Sequence, residues 1–392
     1  MRGCPTDAGF LHLYWVCPLM ESVEPEGNVE AAGCAPQRNL VVSGGKARSG
    51  LIDLGRSRSD LIVFVGKRLL QLIPVVFGVV TITFFFTHVA IANPCAAWTK
   101  ARTQAAIDQC KATFGLDQPL PNQYVNYLSN LLTGNWLTSP SGLPVLPQIL
   151  NALPETVELV LAALLIMILL GIPLGVVAAN GAGRWPDHLV RTFYLSGWAT
   201  PTYLAALVAA LAIGPALNLP YKYAFSTQTP PFPQITHFSI LDALLAGNLP
   251  AAGDAVLHLV LPATALAFLN MGIATRMTRG SMLEVLPLDY VKTARIKGLS
   301  ETWVLYKHAL RNSLISTATV LGVTAGGLLS GTVVIESIFQ WPGIGRYAYN
   351  AITNYDFAGT IGVVIFFAVG VVVSNLLADV MYGILDPRVE WR

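Results

Sequence analysis

The sequence predicts an all-α membrane protein with six transmembrane helices. Three observations carry that expectation: the low charge content, the length of the apolar runs, and the side on which basic residues fall. Of 392 residues, 54% are hydrophobic and only 12% are charged, whereas a soluble domain carries roughly 25% charge. Spanning hydrocarbon takes about 20 apolar residues per helix. Six runs of that order occur, at 69–92, 156–179, 188–213, 257–275, 314–335 and 357–382. Alternation of period two is absent, which argues against a β-barrel.

In chain order, residues 1–60 carry Gly, Ser, Glu and Arg without apolar periodicity and read as a disordered cytosolic tail. Ala31-Ala32-Gly33-Cys34 looks like a lipoprotein cleavage site, but Met20 to Glu30 is acidic where a secretory signal needs an apolar core. A native start near Leu61 is the alternative to a genuine tail. Residues 61–392 form the membrane body. After the first run comes an outward loop at 93–152, in which Cys95 and Cys110 flank a helical segment. Two cysteines closing a small loop in an oxidising compartment suit a disulfide; two unpaired buried thiols are the alternative. The second run holds Gly171, Pro173 and Gly175 near its end, and Pro201 interrupts the third. Such breaks are tolerated because neighbouring helices re-satisfy the freed backbone groups. Glu155 and Glu158, at the entry to the second run, read as interfacial caps. Asn270, Ser374 and Asn375 sit deeper and read as hydrogen-bonding groups between helices, with a place along a translocation path as the alternative.

Basic residues fix the orientation, because Lys and Arg concentrate in cytoplasmic loops. Lys46, Arg48, Arg56, Arg58, Lys67 and Arg68 precede the first run, Arg184 and Arg191 follow the second, and Arg388 and Arg392 close the chain. The loop after the fourth run is richest, with Arg276, Arg279, Lys292, Arg295, Lys297, Lys307 and Arg311. Both termini are therefore expected inside, in a multi-pass protein of the plasma or inner membrane.

Several function classes are disfavoured. There is no GxxxxGK[ST] phosphate loop; Val42-Ser43-Gly44-Gly45-Lys46 lacks its spacing, so ATP binding by this chain is not expected. No Ser/His/Asp set, HExxH or paired histidines occur, and the six histidines are scattered. No catalytic, cofactor or metal site is therefore assigned. The net charge of +2 gives no reason to infer a nucleic-acid partner. A secondary carrier would want acids in mid-membrane, where each is costly and usually functional; Glu155, Glu158, Glu336 and Asp379 all lie near ends of runs.

The segment Met282–Asn312 is polar and basic between two apolar runs, and has the pattern of a helix, a break and a second helix. Ala294 and Gly298, four apart, would share one helical face and let another backbone approach; Gly298 suits a left-handed helix end. Tyr290, Ile296, Leu299, Val304 and Leu305 offer apolar anchors for docking. An ordinary interfacial helix is the alternative. On the outward side, Glu336, Phe339, Trp341, Pro342 and Gly343 fall in one dense segment. It reads equally as an aromatic-anchored turn or as an outer gate or contact with an external partner.

With these residues in view, the chain resembles the membrane permease subunits of binding-protein-dependent ABC importers for dipeptides, oligopeptides and nickel. Lys67-Arg68-Leu69-Leu70-Gln71-Leu72-Ile73-Pro74, Phe114-Gly115-Leu116-Asp117-Gln118-Pro119-Leu120-Pro121 and Leu153-Pro154-Glu155-Thr156-Val157-Glu158-Leu159 are similar to successive blocks of that family. Asp289-Tyr290-Val291-Lys292-Thr293-Ala294-Arg295-Ile296-Lys297-Gly298-Leu299 resembles its ATPase-docking "EAA" loop, within 280–312. Glu336 to Gly345 and Asp386-Pro387-Arg388 match later blocks, so the resemblance covers about 61–392 in order. It is nearest to the first permease of the pair. Lys292-Thr293-Ala294 departs from the general pattern, which opens with Glu. The resemblance implies the type I importer permease fold, with ATPase contacts from Asp289, Tyr290, Ala294, Arg295, Gly298 and Leu299. It also implies a second permease subunit, two ATP-binding subunits that hold ATP and Mg, and an extracytoplasmic solute-binding protein. Peptides are the expected solute, with oligosaccharides or nickel chelates as the alternatives.

Overall fold

The computed structural model describes residues 58–85, 95, 103–136, 143–226, 229–354 and 356–385. Residues 1–57 of the expected tail and the Asp386-Pro387-Arg388 block lie outside these, as do the side chains of Cys110, Asn375 and Asp379.

The described residues are helical, without a strand. α1 is Arg58–Phe84, α2 Gln104–Phe114 and α3 Leu120–Leu132. α4 is Val145–Asn180, α5 Trp185–Ala199 and α6 Thr202–Leu217. α7 is Ser239–Leu245, α8 Leu249–Val285, α9 Asp289–Ile296 and α10 Glu301–Leu329. α11 is Val333–Phe339, α12 Ile344–Thr353 and α13 Phe357–Leu385.

Three of these helices, α4, α8 and α10, are long and apolar enough to cross a membrane. α5 and α6 pass that test only as a pair, bent by 106° at the break between them. The interruption expected at Pro201 in the third run, 188–213, is thus a sharp bend between two helices. Pro201 has no N–H to continue the helix, and it pushes Thr200 into extended backbone at φ −82, ψ 125. Shorter apolar stretches lie in α1, at Ile73–Phe84, and in α13, at Ala358–Ser374. Against six expected spans, the described residues therefore hold three membrane-length helices, or four with the bent pair counted once.

Two boundaries also move. α4 starts at Val145, ahead of the apolar run, because Val145, Ile149 and Ala152 pack against Ile344 and Ala348 of α12 and Val363 of α13. The fifth run begins earlier and ends sooner than 314–335. α10 continues out of the turn that follows α9, and the helix is interrupted at Thr332 next to Gly331, where glycine lowers helix propensity.

The central element is α8, which packs against α4, α5, α7 and α10. α10 lies along α13, and α13 along α1. The outward faces of α4 stay apolar and exposed, with Leu161, Leu165 and Leu169 more than half accessible. Helices whose outer faces are as apolar as their inner ones suit lipid surroundings. One end of this core carries the α8–α9–α10 turn. The opposite end carries α7, α11, α12 and the start of α4.

Candidate functional site

At the first end, α9 shows one face to the core and one to the outside. Val291 and Ala294 are buried against Val176, Ala179, Met282, Val304, Leu305 and Ala309. Three of the expected docking residues are thereby reassigned. Ala294, Val304 and Leu305 pack inside the chain, at 5%, 0% and 7% exposure, so the small face at Ala294 serves internal close packing. Gly298 does not share that face. It follows the helix with φ +76, and its N–H donates to Arg295 O at 2.9 Å while Leu299 N–H reaches Ala294 O at 3.4 Å. This paired pattern is a Schellman closure, which favours glycine at the left-handed position. A Cβ at Gly298 would meet nothing within 4 Å, so the position is open to the outside.

The turn is cross-braced. Arg295 grips Glu301 in a fork, Nη2 to Oε1 at 2.7 Å and Nε to Oε2 at 3.2 Å. Its guanidinium is held above its ordinary pKa chiefly by that hydrogen bond. Asn312 Nδ2 donates to the Tyr290 hydroxyl at 2.8 Å, tying α9 to α10. Asp289 and Lys292 pair at 3.0 Å on the surface, where such pairs contribute little. Ile296 is left 86% exposed, with Tyr290 and Leu299 partly so. Two aromatics that the sequence reading missed, Trp303 and Tyr306, are exposed at the start of α10. Their spacing of three, one helical turn, was the available signal. Lys307 Nζ lies 4.3 Å from the Trp303 ring centre. The result is a rigid, partly apolar platform with a charged border.

Behind the platform, Asp187 of α5 receives Arg279 of α8 bidentately, at 2.7 and 2.8 Å. Asp187 is fully buried and also accepts the Gly183 N–H at 3.0 Å. The sequence reading counted Arg279 only as an inside charge and passed over Asp187.

At the opposite end, carboxylates knit four elements together. Glu336 is fully buried, accepts Thr156 Oγ1 at 2.9 Å and accepts the Arg346 N–H at 3.0 Å. The same Thr156 hydroxyl accepts the Ile344 N–H at 2.8 Å. Gly343 threads between them: a Cβ there would stand 2.6 Å from Glu336 Cδ, and nearer still to Thr156 Oγ1. Trp341 is fully buried and donates Nε1–H to the Glu155 carbonyl at 2.8 Å. Glu158 accepts the N–H groups of Ser239 and Ile240 at 2.9 and 3.0 Å, so it does cap a helix, α7, but in the interior. The interfacial position expected for Glu155 and Glu158 is corrected, since both are buried against α7. Of the outward set, Glu336, Phe339, Trp341 and Gly343 belong to the chain's own core, and Pro342 alone is exposed. Asp242 of α7 is pushed up by burial but held below the usual carboxylate range by hydrogen bonds from Thr236 Oγ1, Thr236 N–H and His237 N–H, at 2.7 to 2.9 Å.

Elsewhere, Asn270 bonds back to Leu266 O of its own helix at 2.9 Å, not between helices as expected. Ser374 borders an apolar groove between α4, α10 and α13. Cys95 is buried and disulfide-bonded. Among the described residues no cluster of three or more His, Cys, Asp or Glu is placed to hold a metal.

Comparison with known proteins decides the class. The family described as binding-protein-dependent transport system inner membrane component matches residues 171–391, more than half of the chain. The N-terminal part of such components matches residues 61–164. The chain belongs to this family. It is the permease subunit of a binding-protein-dependent ABC importer, a membrane component that is not itself catalytic. The probable D,D-dipeptide transport system permease protein DdpB of Escherichia coli (strain K12) is 39% identical, over 82% of this chain and 96% of its own. The dipeptide transport system permease protein DppB of Alkalihalophilus pseudofirmus is 36% identical, over 84% and 100%. The di/tripeptide transport system permease protein DppB of Pseudomonas aeruginosa is 37% identical, over 84% and 99%. The family match begins at residue 61 and runs through the α8–α9–α10 turn and the carboxylate knot.

Proposed function

We propose that this permease imports di- or oligopeptides, supplying half of the translocation path beside a second permease of the same family. Six spans are assigned, with α1, α4, the bent α5–α6 pair, α8, α10 and α13 as their cores. Both termini and the platform face the cytoplasm, as the distribution of Lys and Arg argues. Two ATP-binding subunits dock on the platforms of the two permeases, and an extracytoplasmic binding protein delivers solute at the carboxylate end. The peptide assignment is supported by the names of the relatives, and the docking assignment by the exposed, braced turn at Asp289–Leu299.

The geometry suggests how coupling works. α9 is rigidly fixed to α10 and α8, so a force on Ile296 and Leu299 is passed to two membrane-length helices. ATP must favour one permease state through contacts that differ between states, since equal binding would shift nothing. A disulfide between Cys95 and Cys110 is assigned to the outer loop. It requires that two more thiols react with an alkylating reagent after reduction than before.

The test is affinity purification of the tagged protein in mild detergent, with mass spectrometry and an ATPase assay on the eluate. Recovery of a second permease and ATP-binding subunits, with hydrolysis stimulated by the binding protein, is expected. A lone chain without hydrolysis, from a preparation in which control complexes survive, would refute the assignment.

A further inference from the structure

The carboxylate end contains one acid whose bonding is incomplete. Glu155 is 7% exposed. Its Oε1 is taken by the Ser239 hydroxyl, while Oε2 is buried with no hydrogen-bond partner among the described residues. A buried carboxylate oxygen without a donor is costly, and the neighbours offer no relief. Glu158 is engaged with α7, Glu336 with Thr156 and Arg346, and Asp242 with Thr236 and His237.

Glu155 also lines a cavity of about 460 Å³, within the range of small-molecule sites. Asn151, Gln234, His237, Arg346 and Asn350 share the lining, and a second cavity of about 260 Å³ adjoins Glu155 from the Ser239 side. The group that suits Oε2 is a cationic N–H donor, because four carboxylates converge here. Arg346, the cation in the lining, is committed to Gln340 O and stacks on Tyr223.

We propose that this cavity is a solute subsite in which Glu155 Oε2 accepts a primary ammonium, the free N-terminus of a short peptide entering from the carboxylate end. The inference rests on the peptide reading above and names the residue that would select for a free amino terminus.

A double cycle on the purified importer complex, without its binding protein, tests this. Saturation-transfer NMR measures the Kd of dialanine and of N-acetyl-dialanine for wild type and Glu155→Gln. The amide keeps Oε1 for Ser239 and places an NH2 group, which donates and does not accept, where Oε2 would receive the ammonium. For wild type, acetylation is expected to weaken binding about tenfold or more, as for loss of a charge-assisted hydrogen bond. Glu155→Gln should weaken dialanine similarly, and acetylation should then add little, since both changes remove one contact. Additive losses, an unchanged Kd in Glu155→Gln, or no wild-type binding would overturn the proposal. If Glu155→Gln does not assemble, Glu155→Asp is read in its place: a reduced preference for the free amine supports the subsite, and an unchanged preference overturns it. ATP-driven uptake of dialanine by the same wild-type complex with its binding protein separates the two claims. Uptake with a failed cycle removes only the subsite, and no uptake removes the peptide reading itself.

Discussion

Replacing Thr156 by Val is the cleanest probe of the carboxylate knot. The substitution exchanges a hydroxyl for a methyl of similar shape, so no cavity is left. Two buried bonds vanish: the one donated to Glu336 at 2.9 Å and the one accepted from the Ile344 N–H at 2.8 Å. The Ile344 N–H is then an unsatisfied buried donor, at a cost of about 1–3 kcal/mol, and loss of a bond to a carboxylate adds about 1.5 kcal/mol or more. Glu336 keeps the Arg346 N–H, which limits the second term. The expected loss is about 3 kcal/mol. It is measured by SDS-induced unfolding of the detergent-solubilised protein, followed by tryptophan fluorescence. Thr156→Ser retains the hydroxyl and should lose about 1 kcal/mol at most. A Thr156→Val protein within about 0.5 kcal/mol of wild type, or a Ser variant as weak as the Val variant, would refute the reasoning.

Two further outcomes follow from buried charge. Arg279→Ala leaves the fully buried Asp187 with only the Gly183 N–H at 3.0 Å and a 3.9 Å contact to the half-exposed Arg191, whereas Asp187→Ala leaves an arginine whose side chain is 24% exposed. The arginine variant should therefore be the less stable of the two, losing about 3–5 kcal/mol in the same unfolding assay. For Asp242, the folded-state pKa lies below the unfolded value, so its stabilisation is present above about pH 4 and is lost as pH falls through the folded pKa. Unfolding of wild type should steepen with acid in that window, and Asp242→Asn should flatten the dependence while lowering stability at neutral pH.

Much of the fold was legible because its signals are local. The charge deficit and the apolar runs at 156–179, 257–275 and 314–335 gave the three membrane-length helices, Pro201 marked the break in the third run, and Gly298 marked the left-handed end of α9. What the sequence hid depends on distant partners. Glu336 finds Thr156 across 180 positions, and Asp187 finds Arg279 across 92. Nothing in the flanking residues distinguishes an acid packed in this way from one at an interface. The exposed face of the Asp289–Leu299 turn was half legible. A spacing of four put Ala294 and Gly298 on one face, but the helix ends between them, so Ala294 turns inward and Gly298 outward. Val304 and Leu305 looked like exposed anchors because their apolar character does not tell which surface covers them. The Pro201 bend of 106° was readable as an interruption but not as an angle, which packing against α8 and α11 sets.

The most direct test of the central claim is photocrosslinking from the platform in intact membranes. A photoreactive residue placed at Ile296, which is 86% exposed, should form an adduct with the ATP-binding subunit. The same residue at Tyr349, exposed on α12 at the opposite end, should form none. An ATPase adduct from Tyr349, or none from Ile296 in a complex that hydrolyses ATP, would contradict the assignment of the Asp289–Leu299 turn as the docking site.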